Sequence, residues 1–193
     1  MSELLVVNIG TLATPVGKRA RGGVDQGAVR VLHDAWVLIE KGVITGVGEG
    51  TPPHAAAQRI DAGGRLVTPG LVDAHTHLIF GGWRNHEMAL KLQGVPYLDI
   101  LAQGGGILST VEATRAATEE ELAAKARLAL DEMLALGTTT CEAKSGYGLD
   151  TRQELKQLRA IRDLRESHPM DIAATFMGAH ALPRAYKENR EGY

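Results

Sequence analysis

The sequence has little cysteine, few aromatic residues and no excess of charge of either sign. The 193 residues contain one cysteine, Cys141, so no disulfide can form within the chain, as is typical of a reducing cytoplasm. Aromatic residues make up 4% and the formal net charge is −2, which gives no electrostatic reason to expect a nucleic-acid partner. No run approaches the roughly 18 apolar residues of a membrane-spanning helix, and no basic, apolar leader opens the chain. We therefore predict a cytoplasmic protein without nucleic-acid or membrane partners.

The first third of the sequence consists of short β-type runs separated by turns rich in glycine. The runs lie at 4–9, 29–32, 36–39 and 43–48. Lys41-Gly42 separates the last two runs and predicts a hairpin turn. The segment 11–28, with Lys18 among its basic residues, is interpreted as a solvated loop rather than a phosphate-binding loop, because the net charge is acidic. We predict a small β domain over residues 1–66.

From residue 66 onward, strand-like and helix-like segments alternate, the order that produces a parallel sheet with helices on its faces. The strand-like runs lie at 66–75, 138–144 and 171–177. Helices are predicted after two capping-box patterns, Thr118–Glu121 and Thr151–Glu154, with Gly137 ending the first helix. The second helix is expected to bury Leu155, Leu158, Ile161 and Leu164.

The spacing of these strands is typical of a (β/α)8 barrel. The second and third strands begin about 34 residues apart, close to the ~31 residues that each unit of such a barrel occupies. The first strand precedes the second by roughly 70 residues, which predicts an inserted loop at about 81–117, next to the strand ends where barrels place their active sites. We predict an α/β fold in which 67–193 forms about the first three βα units of a barrel.

The pair His75 and His77 is the strongest chemical signal. Residues two apart on a strand face the same side, so both imidazoles can converge on one metal ion while Thr76 points away. Nitrogen ligands of this kind suit zinc or iron. Taken alone, the pair is equally well interpreted as two histidines that end a strand. The run of glycines at Gln103–Gly106 is a weak phosphate-loop signal, because it lacks the Gly-Lys-Ser/Thr continuation.

The residues around this pair resemble a known family. The run Pro69-Gly70-Leu71-Val72-Asp73-Ala74-His75-Thr76-His77-Leu78 is similar to the first-strand motif of the amidohydrolase superfamily of metal hydrolases. Within that superfamily the chain looks like the imidazolonepropionase family over nearly its whole length. The stretches that carry this likeness are 80–84, 98–107, 144–149 and 175–180.

The resemblance implies a barrel preceded by a small β-sandwich-type domain that strands from the C-terminal part of the protein complete. It also implies one divalent metal, zinc or iron, with His75 and His77 as two of its ligands. The implied reaction is hydrolysis of the cyclic amide of 4-imidazolone-5-propanoate to N-formimidoyl-L-glutamate, in histidine degradation, by a homodimer. The remaining metal ligands and the general base are expected beyond residue 193. Because a catalytic zinc site normally has three protein ligands, we predict that residues 1–193 alone are inactive.

The resemblance also implies that Arg84, Tyr147 and His180 contact the substrate. The planar guanidinium of Arg84 can bind a carboxylate such as the propionate group, although an isolated arginine here could equally form an ion pair with Glu87. Tyr147 and His180 follow strand ends, where turn-forming and structural roles are the alternatives. Two other functions stay open: a guanine deaminase-like amidohydrolase, and a non-catalytic barrel that acts as a scaffold.

Three further residues are given structural roles. Glu142 and Lys144 share a face of the second barrel strand, and we interpret them as an ion pair or as support for the site. A bridging carboxylated lysine would lie on the fourth strand in the family, so the position of Lys144 favours one metal over two. Cys141 is predicted to be a small core residue rather than a nucleophile.

Overall fold

A computed structural model describes residues 3–17, 19–54, 56 and 58–193, and it has a mixed α/β fold. The chain divides into two compact units, Met1–Pro69 and Gly70–Tyr193, three residues later than the boundary predicted between 66 and 67. Within the described residues, no helix has the length and apolar character that crossing a bilayer requires.

The first unit is a single sheet. Its five strands are β1 (Leu4–Pro15), β2 (Val29–Glu40), β3 (Val43–Glu49), β4 (Gln58–Asp61) and β5 (Leu66–Val67). They are arranged in the order β3-β2-β1-β4, and β5 also pairs with β1. β1 runs antiparallel to β2 and parallel to β4 and β5. The core of this unit lies on β1 and β2 and consists of Ile9, Leu12, Leu32, Ala35 and Val37.

The hairpin predicted between β2 and β3 is confirmed. Lys41 and Gly42 both have positive φ, 53° and 80°, as a tight two-residue turn of this hand requires. The predicted loop over 11–28 is wrong at its start, because β1 continues to Pro15 through its pairing with β2. Lys18 in that segment lies outside the described residues.

The second unit contains a three-stranded parallel sheet in the order β6-β7-β8. Its strands are β6 (Leu71–Thr76), β7 (Thr138–Lys144) and β8 (Asp171–Thr175). Its helices are α1 (Glu87–Leu92), α2 (Tyr97–Ala102), α3 (Gly106–Ala116), α4 (Glu119–Ala135) and α5 (Thr151–Ser167). Helices α1, α2 and α3 occupy most of the segment that the sequence predicts as an inserted loop.

Apolar residues of α4, α5, β7 and β8 form the core of this unit. The fully buried members include Leu122, Leu130, Cys141, Ile161 and Leu164. Cys141 is therefore a core residue, as predicted, and burial raises the pKa of its thiol, with the charge of Asp73 adding to the effect.

The two predicted capping boxes have different outcomes. At α4 the Thr118 hydroxyl accepts the Glu121 amide and the Glu121 carboxylate accepts the Thr118 amide, which confirms the first box. The second is wrong, because Asp150 caps α5 by accepting the Gln153 amide at 2.9 Å. Asp150 in the extended conformation precedes the helix directly, so Thr151 is already its first residue.

Two burial expectations are also wrong. The apolar run that includes Leu71 and Val72 is typical of a buried strand, but these residues are 56% and 67% exposed, because among the described strands β6 pairs with β7 alone and lies at the edge of the sheet. Leu155 on α5 is exposed as well, since the buried face of that helix passes through Glu154, Gln157 and Ile161 instead.

Candidate functional site

The carboxyl ends of the three parallel strands lie side by side. Thr76 at the end of β6 is paired with Ala143, and Lys144 at the end of β7 is paired with Thr175 at the end of β8. Ring-bearing residues that leave these strands are therefore brought together, although they are up to 103 positions apart in sequence between His77 and His180.

His77 lies at the centre of a cluster of four rings. Its ring centroid is 4.7 Å from that of His180, 4.8 Å from that of Tyr147 and 6.2 Å from that of His75. Tyr147 and His180 are in edge contact with each other at 5.6 Å. The structure thus brings together four of the five residues predicted for the site.

The fifth residue, Arg84, shares a cavity of about 170 Å³ with His77 and Tyr147. The other residues that line this cavity are Phe80, Gly82, Trp83 and Thr110. The carboxylate of Glu87, the alternative partner considered for Arg84, is buried and accepts the Gly106 amide at 2.6 Å. The guanidinium of Arg84 is half-buried and shares this small cavity with the rings of His77 and Tyr147. Such a site can bind a carboxylate that is attached to a planar ring.

The segment 77–84, which we name the Arg84 segment, is held from α4 and α3. The ammonium group of Lys125 donates to the Gly82 carbonyl at 2.5 Å and lies 3.4 Å and 3.8 Å from the ring centres of Phe80 and Trp83. The Thr114 hydroxyl accepts the Gly81 amide at 2.9 Å. A Cβ at Gly81 would lie 2.4 Å from the Ala113 carbonyl oxygen, so glycine is required for this approach to α3.

Two of the rings, His77 and Tyr147, lie in surroundings that favour their neutral forms. Burial lowers the pKa of His77, and the neighbouring His180, His75 and Lys144 lower it further. Burial raises the pKa of Tyr147, with the charge of Arg84 acting in the opposite direction. His77 is therefore the neutral imidazole that metal coordination requires, and Tyr147 keeps its hydroxyl proton at neutral pH.

The His75 and His77 pair fits a metal as part of a ligand set. The Nδ1 atom of His77 is buried and has no hydrogen-bond partner among the described residues, so this nitrogen can act as a ligand. Thr76 between them points away and donates to the Glu142 carbonyl at 2.6 Å, as its position on the opposite face requires. Across the described parts of the chain, no three or more His, Cys, Asp and Glu side chains group in a way that could hold a metal ion.

Glu142 and Lys144 form the ion pair that the sequence predicts. Glu142 also accepts the Thr175 hydroxyl at 2.7 Å, so this residue links β7 to β8. Lys144 is largely buried. In the glycine run 103–106, the Gly106 amide donates to the Glu87 carboxylate at 2.6 Å.

Several residues at the site have no clear sequence signal. Phe80, Trp83 and Thr110 line the cavity, and Lys125 supports it from α4. The contact between Lys125 and Gly82 joins positions 43 apart, so local pattern cannot reveal it. Phe80 and Trp83 lie within a stretch that carries the family resemblance, and this was the one signal that could have indicated them.

Comparison with known proteins identifies the relatives of this sequence. An imidazolonepropionase from Alkaliphilus metalliredigens is 52% identical over 195 aligned residues, and one from Bacillus cereus is 54% identical over 192. The alignments cover 98% and 97% of this chain. The chain is a homologue of these imidazolonepropionases. It spans 46% and 45% of their lengths, so slightly under half of each relative is matched.

Two further comparisons match part of the sequence and the fold. The amidohydrolase family model matches residues 58–99, which contain β6, His75, His77 and Arg84. Among solved structures, guanine deaminase from E. coli superimposes on 92% of this chain with a TM-score of 0.61. The chain covers 36% of that protein at 16% identity, so this likeness concerns the fold alone.

Proposed function

We propose that the native gene product is an imidazolonepropionase, which adds water to 4-imidazolone-5-propanoate and releases N-formimidoyl-L-glutamate. Identity above 50% to imidazolonepropionases supports this proposal. The observation that carries it is the cavity in which Arg84 meets His77 and Tyr147. The substrate has a propionate for the guanidinium and a planar ring for the histidine and tyrosine. Guanine has no carboxylate, so a guanine deaminase would leave Arg84 without a role.

In this proposal each residue has one task. Arg84 binds the propionate through its planar guanidinium and so fixes the orientation of the ring. Tyr147 and His180 contact the ring from the ends of β7 and β8. His75 and His77 would hold one divalent metal, zinc or iron, which when bound would supply a nucleophilic water at neutral pH. The water oxygen bonds to the ring carbonyl carbon, the adjacent C–N bond breaks, and the ring nitrogen receives a proton.

The wider assembly is also proposed from the family. The second unit would be about the first three βα units of a (β/α)8 barrel, and the segment 81–117 would lie over its mouth. The first unit, residues 1–66, would be an incomplete β-sandwich-type domain completed by C-terminal strands. The remaining metal ligands and the general base would lie beyond residue 193, and the whole enzyme would act in the cytoplasm as a homodimer.

Removal of one imidazole tests the metal assignment. In the complete native gene product, His75→Ala is expected to abolish both the bound zinc or iron and the loss of imidazolone absorbance. His33→Ala is the matched control, since it removes an exposed imidazole from β2 in the first unit. Metal content and turnover near the wild-type level in His75→Ala would refute the ligand assignment.

The expected inactivity of residues 1–193 alone is a separate test. We expect no metal-dependent loss of imidazolone absorbance from this polypeptide, because two histidines are too few for a tight catalytic site. Robust turnover by residues 1–193 would contradict the proposal. The intact mass of the native product complements this assay: a mass near 20.6 kDa would require the missing ligands to come from another chain, whereas about twice that mass would supply them in one.

A further inference from the structure

The segment 145–149, which we name the Tyr147 segment, has a backbone that needs to be held. Gly146 and Leu149 have φ of 121° and 56°, and leucine rarely adopts this left-handed region because its Cβ crowds the following carbonyl oxygen. Leu149 is nevertheless fully buried. Tyr147 lies between these two residues, and its ring is in contact with His77 and His180. The direction of the Tyr147 side chain therefore depends on whatever fixes this backbone.

Glu154 and Arg115 contact this backbone, Arg115 by donating to the Gly148 carbonyl at 2.7 Å. One carboxylate oxygen of Glu154 accepts both the Gly148 amide at 2.7 Å and the Leu149 amide at 2.8 Å. The side chain is 3% exposed, and its second oxygen is buried with no hydrogen-bond partner in the part of the chain that the structure describes. A Cβ at Gly148 would lie 2.5 Å from the Glu154 backbone nitrogen, so glycine lets the segment pack directly on the first turn of α5.

A second buried side chain of α5 contacts the same segment. Gln157 is fully buried, and in the orientation that satisfies both ends of its amide its oxygen accepts the Gly148 amide at 2.8 Å and its nitrogen donates to the Ile79 carbonyl at 3.2 Å. The peptide group that follows Tyr147 is thus bonded to two side chains of α5, Glu154 and Gln157. The helix itself does not need Glu154 as a cap, because Asp150 provides that contact.

We propose that Glu154 is a positioning residue that fixes Tyr147 against His77 for binding of the imidazolone ring. This proposal rests on the proposed function for its substrate. Burying a carboxylate is costly, and here its partners are two neutral amides of a strained turn. The contact therefore lowers the stability of the fold, and in return it fixes the position of the Tyr147 side chain. The glutamate of the capping-box pattern at 151–154 therefore bonds to the Tyr147 segment and does not cap the helix.

The first experiment measures how strongly the amides of the Tyr147 segment are protected from hydrogen exchange when no substrate is present. Hydrogen exchange of the Gly148 and Leu149 amides is compared in the complete native product and in Glu154→Ala, Glu154→Gln and Glu166→Ala. We expect about tenfold faster exchange of the Leu149 amide in Glu154→Ala, because this change removes the acceptor of that amide. The effect at Gly148 should be smaller, because Gln157 also accepts that amide. Glu166→Ala removes an exposed glutamate from the same helix and should exchange as the wild type does. Unchanged exchange in Glu154→Ala overturns the proposal.

The second experiment separates positioning from general stability. The KM for imidazolone propionate is expected to rise about tenfold in Glu154→Ala, with a smaller change in kcat. Glu154→Gln keeps the accepting oxygen and should restore KM to within threefold of the wild type. In a Tyr147→Ala background the further change to Glu154→Ala should add nothing, because the side chain to be positioned is gone.

The outcomes of the two experiments are distinguishable. An equal rise of KM in both backgrounds overturns the positioning role, because a merely structural effect does not depend on Tyr147. If Glu154→Ala fails to fold, the Glu154→Gln variant decides. A KM tenfold higher in Glu154→Gln than in the wild type also overturns the positioning role. If the exchange result is as expected but the wild-type protein does not hydrolyse imidazolone propionate, the proposed function fails while the anchoring of the segment by Glu154 stands.

Discussion

The Arg84 segment and the Tyr147 segment are both held by side chains of the helices that follow them, but by groups of opposite charge. In the first, the Lys125 ammonium donates to a carbonyl and lies between two aromatic rings. In the second, the Glu154 carboxylate accepts two amides. Trp83 is 70% exposed, whereas Gly148 and Leu149 are buried.

The difference in exposure and in the charge of the contacting group suggests different mechanical properties for the two segments. In the Arg84 segment Leu78, Ile79 and Gly81 are buried, whereas Gly82 and Trp83 at its far end are exposed. That end can adjust its side chains at small cost, because each cation–π contact contributes only about 0.5–1 kcal/mol. In the Tyr147 segment the bonded residues, Gly148 and Leu149, are themselves buried. We infer that Arg84 provides binding energy from an adaptable wall, and that Tyr147 provides a fixed surface for the ring.

The largest expected effect is at Arg84. Arg84→Met in the native product should raise the KM for imidazolone propionate about 100-fold with kcat less affected, since charge-assisted hydrogen bonds to a carboxylate contribute roughly 1.5–3 kcal/mol. Steady-state kinetics measure this change. Arg84→Lys keeps the charge and loses the planar pair of donors, so its KM should lie between those of the wild type and Arg84→Met. A Met variant with wild-type KM would mean that the adaptable wall does not bind the carboxylate.

The next effect is at the clamp of the same wall. Lys125→Met should lower the free energy of unfolding by about 1–2 kcal/mol, through loss of two ring contacts and one hydrogen bond to Gly82. Urea titration of the native product measures this loss. Lys125→Arg keeps a cation and donors and is the matched control. If Lys125→Met accelerated exchange of the Gly148 amide as strongly as Glu154→Ala does, the two segments would be one unit and the comparison would fail.

The third effect concerns the ion pair of Glu142 and Lys144. Hydrogen bonds from Lys144 and then Thr175 lower the pKa of Glu142, whose ordinary value is 4.5. A carboxyl whose pKa is lowered by folding stabilises the fold above its unfolded value, and this contribution disappears as the pH falls through the folded value. The stability difference between wild type and Glu142→Gln should therefore be constant from pH 6 to 8 and shrink below about pH 4.5. A difference that does not change with pH would contradict this account.

The smallest effect is an expected lack of reaction. Cys141 is fully buried and the pKa of its thiol is raised, so the folded protein should not react with a thiol reagent at neutral pH. Labelling should appear only with urea. The same protection is expected in Lys125→Met, because that change is confined to the wall. Rapid labelling of the folded variant would show that the wall and the core open together.

Local patterns predict those parts of the fold whose physical causes are local. The Thr118 capping box, the Lys41-Gly42 hairpin turn and the bounds of β7 depend on neighbouring residues, and they were predicted correctly. The burial of β6 was predicted wrongly, since exposure depends on which strands flank it and not on its composition.

The candidate site divides in the same way. Strand geometry predicts that His75 and His77 face the same side, and the parallel order of the strands brings Tyr147 and His180 close to them. The roles of Lys125 and Glu154 could not be predicted. Lys125 contacts a position 43 residues away, and Glu154 occupies a capping pattern that an adjacent aspartate displaces.

The most direct test of the account is a substrate comparison with the complete native gene product. Imidazolone propionate and guanine are offered separately at equal concentration, and the loss of each absorbance is followed with the metal bound. The account predicts rapid loss of imidazolone absorbance, release of N-formimidoyl-glutamate and no change in guanine. Turnover of guanine, or no turnover of imidazolone propionate by a metal-loaded protein, would contradict it.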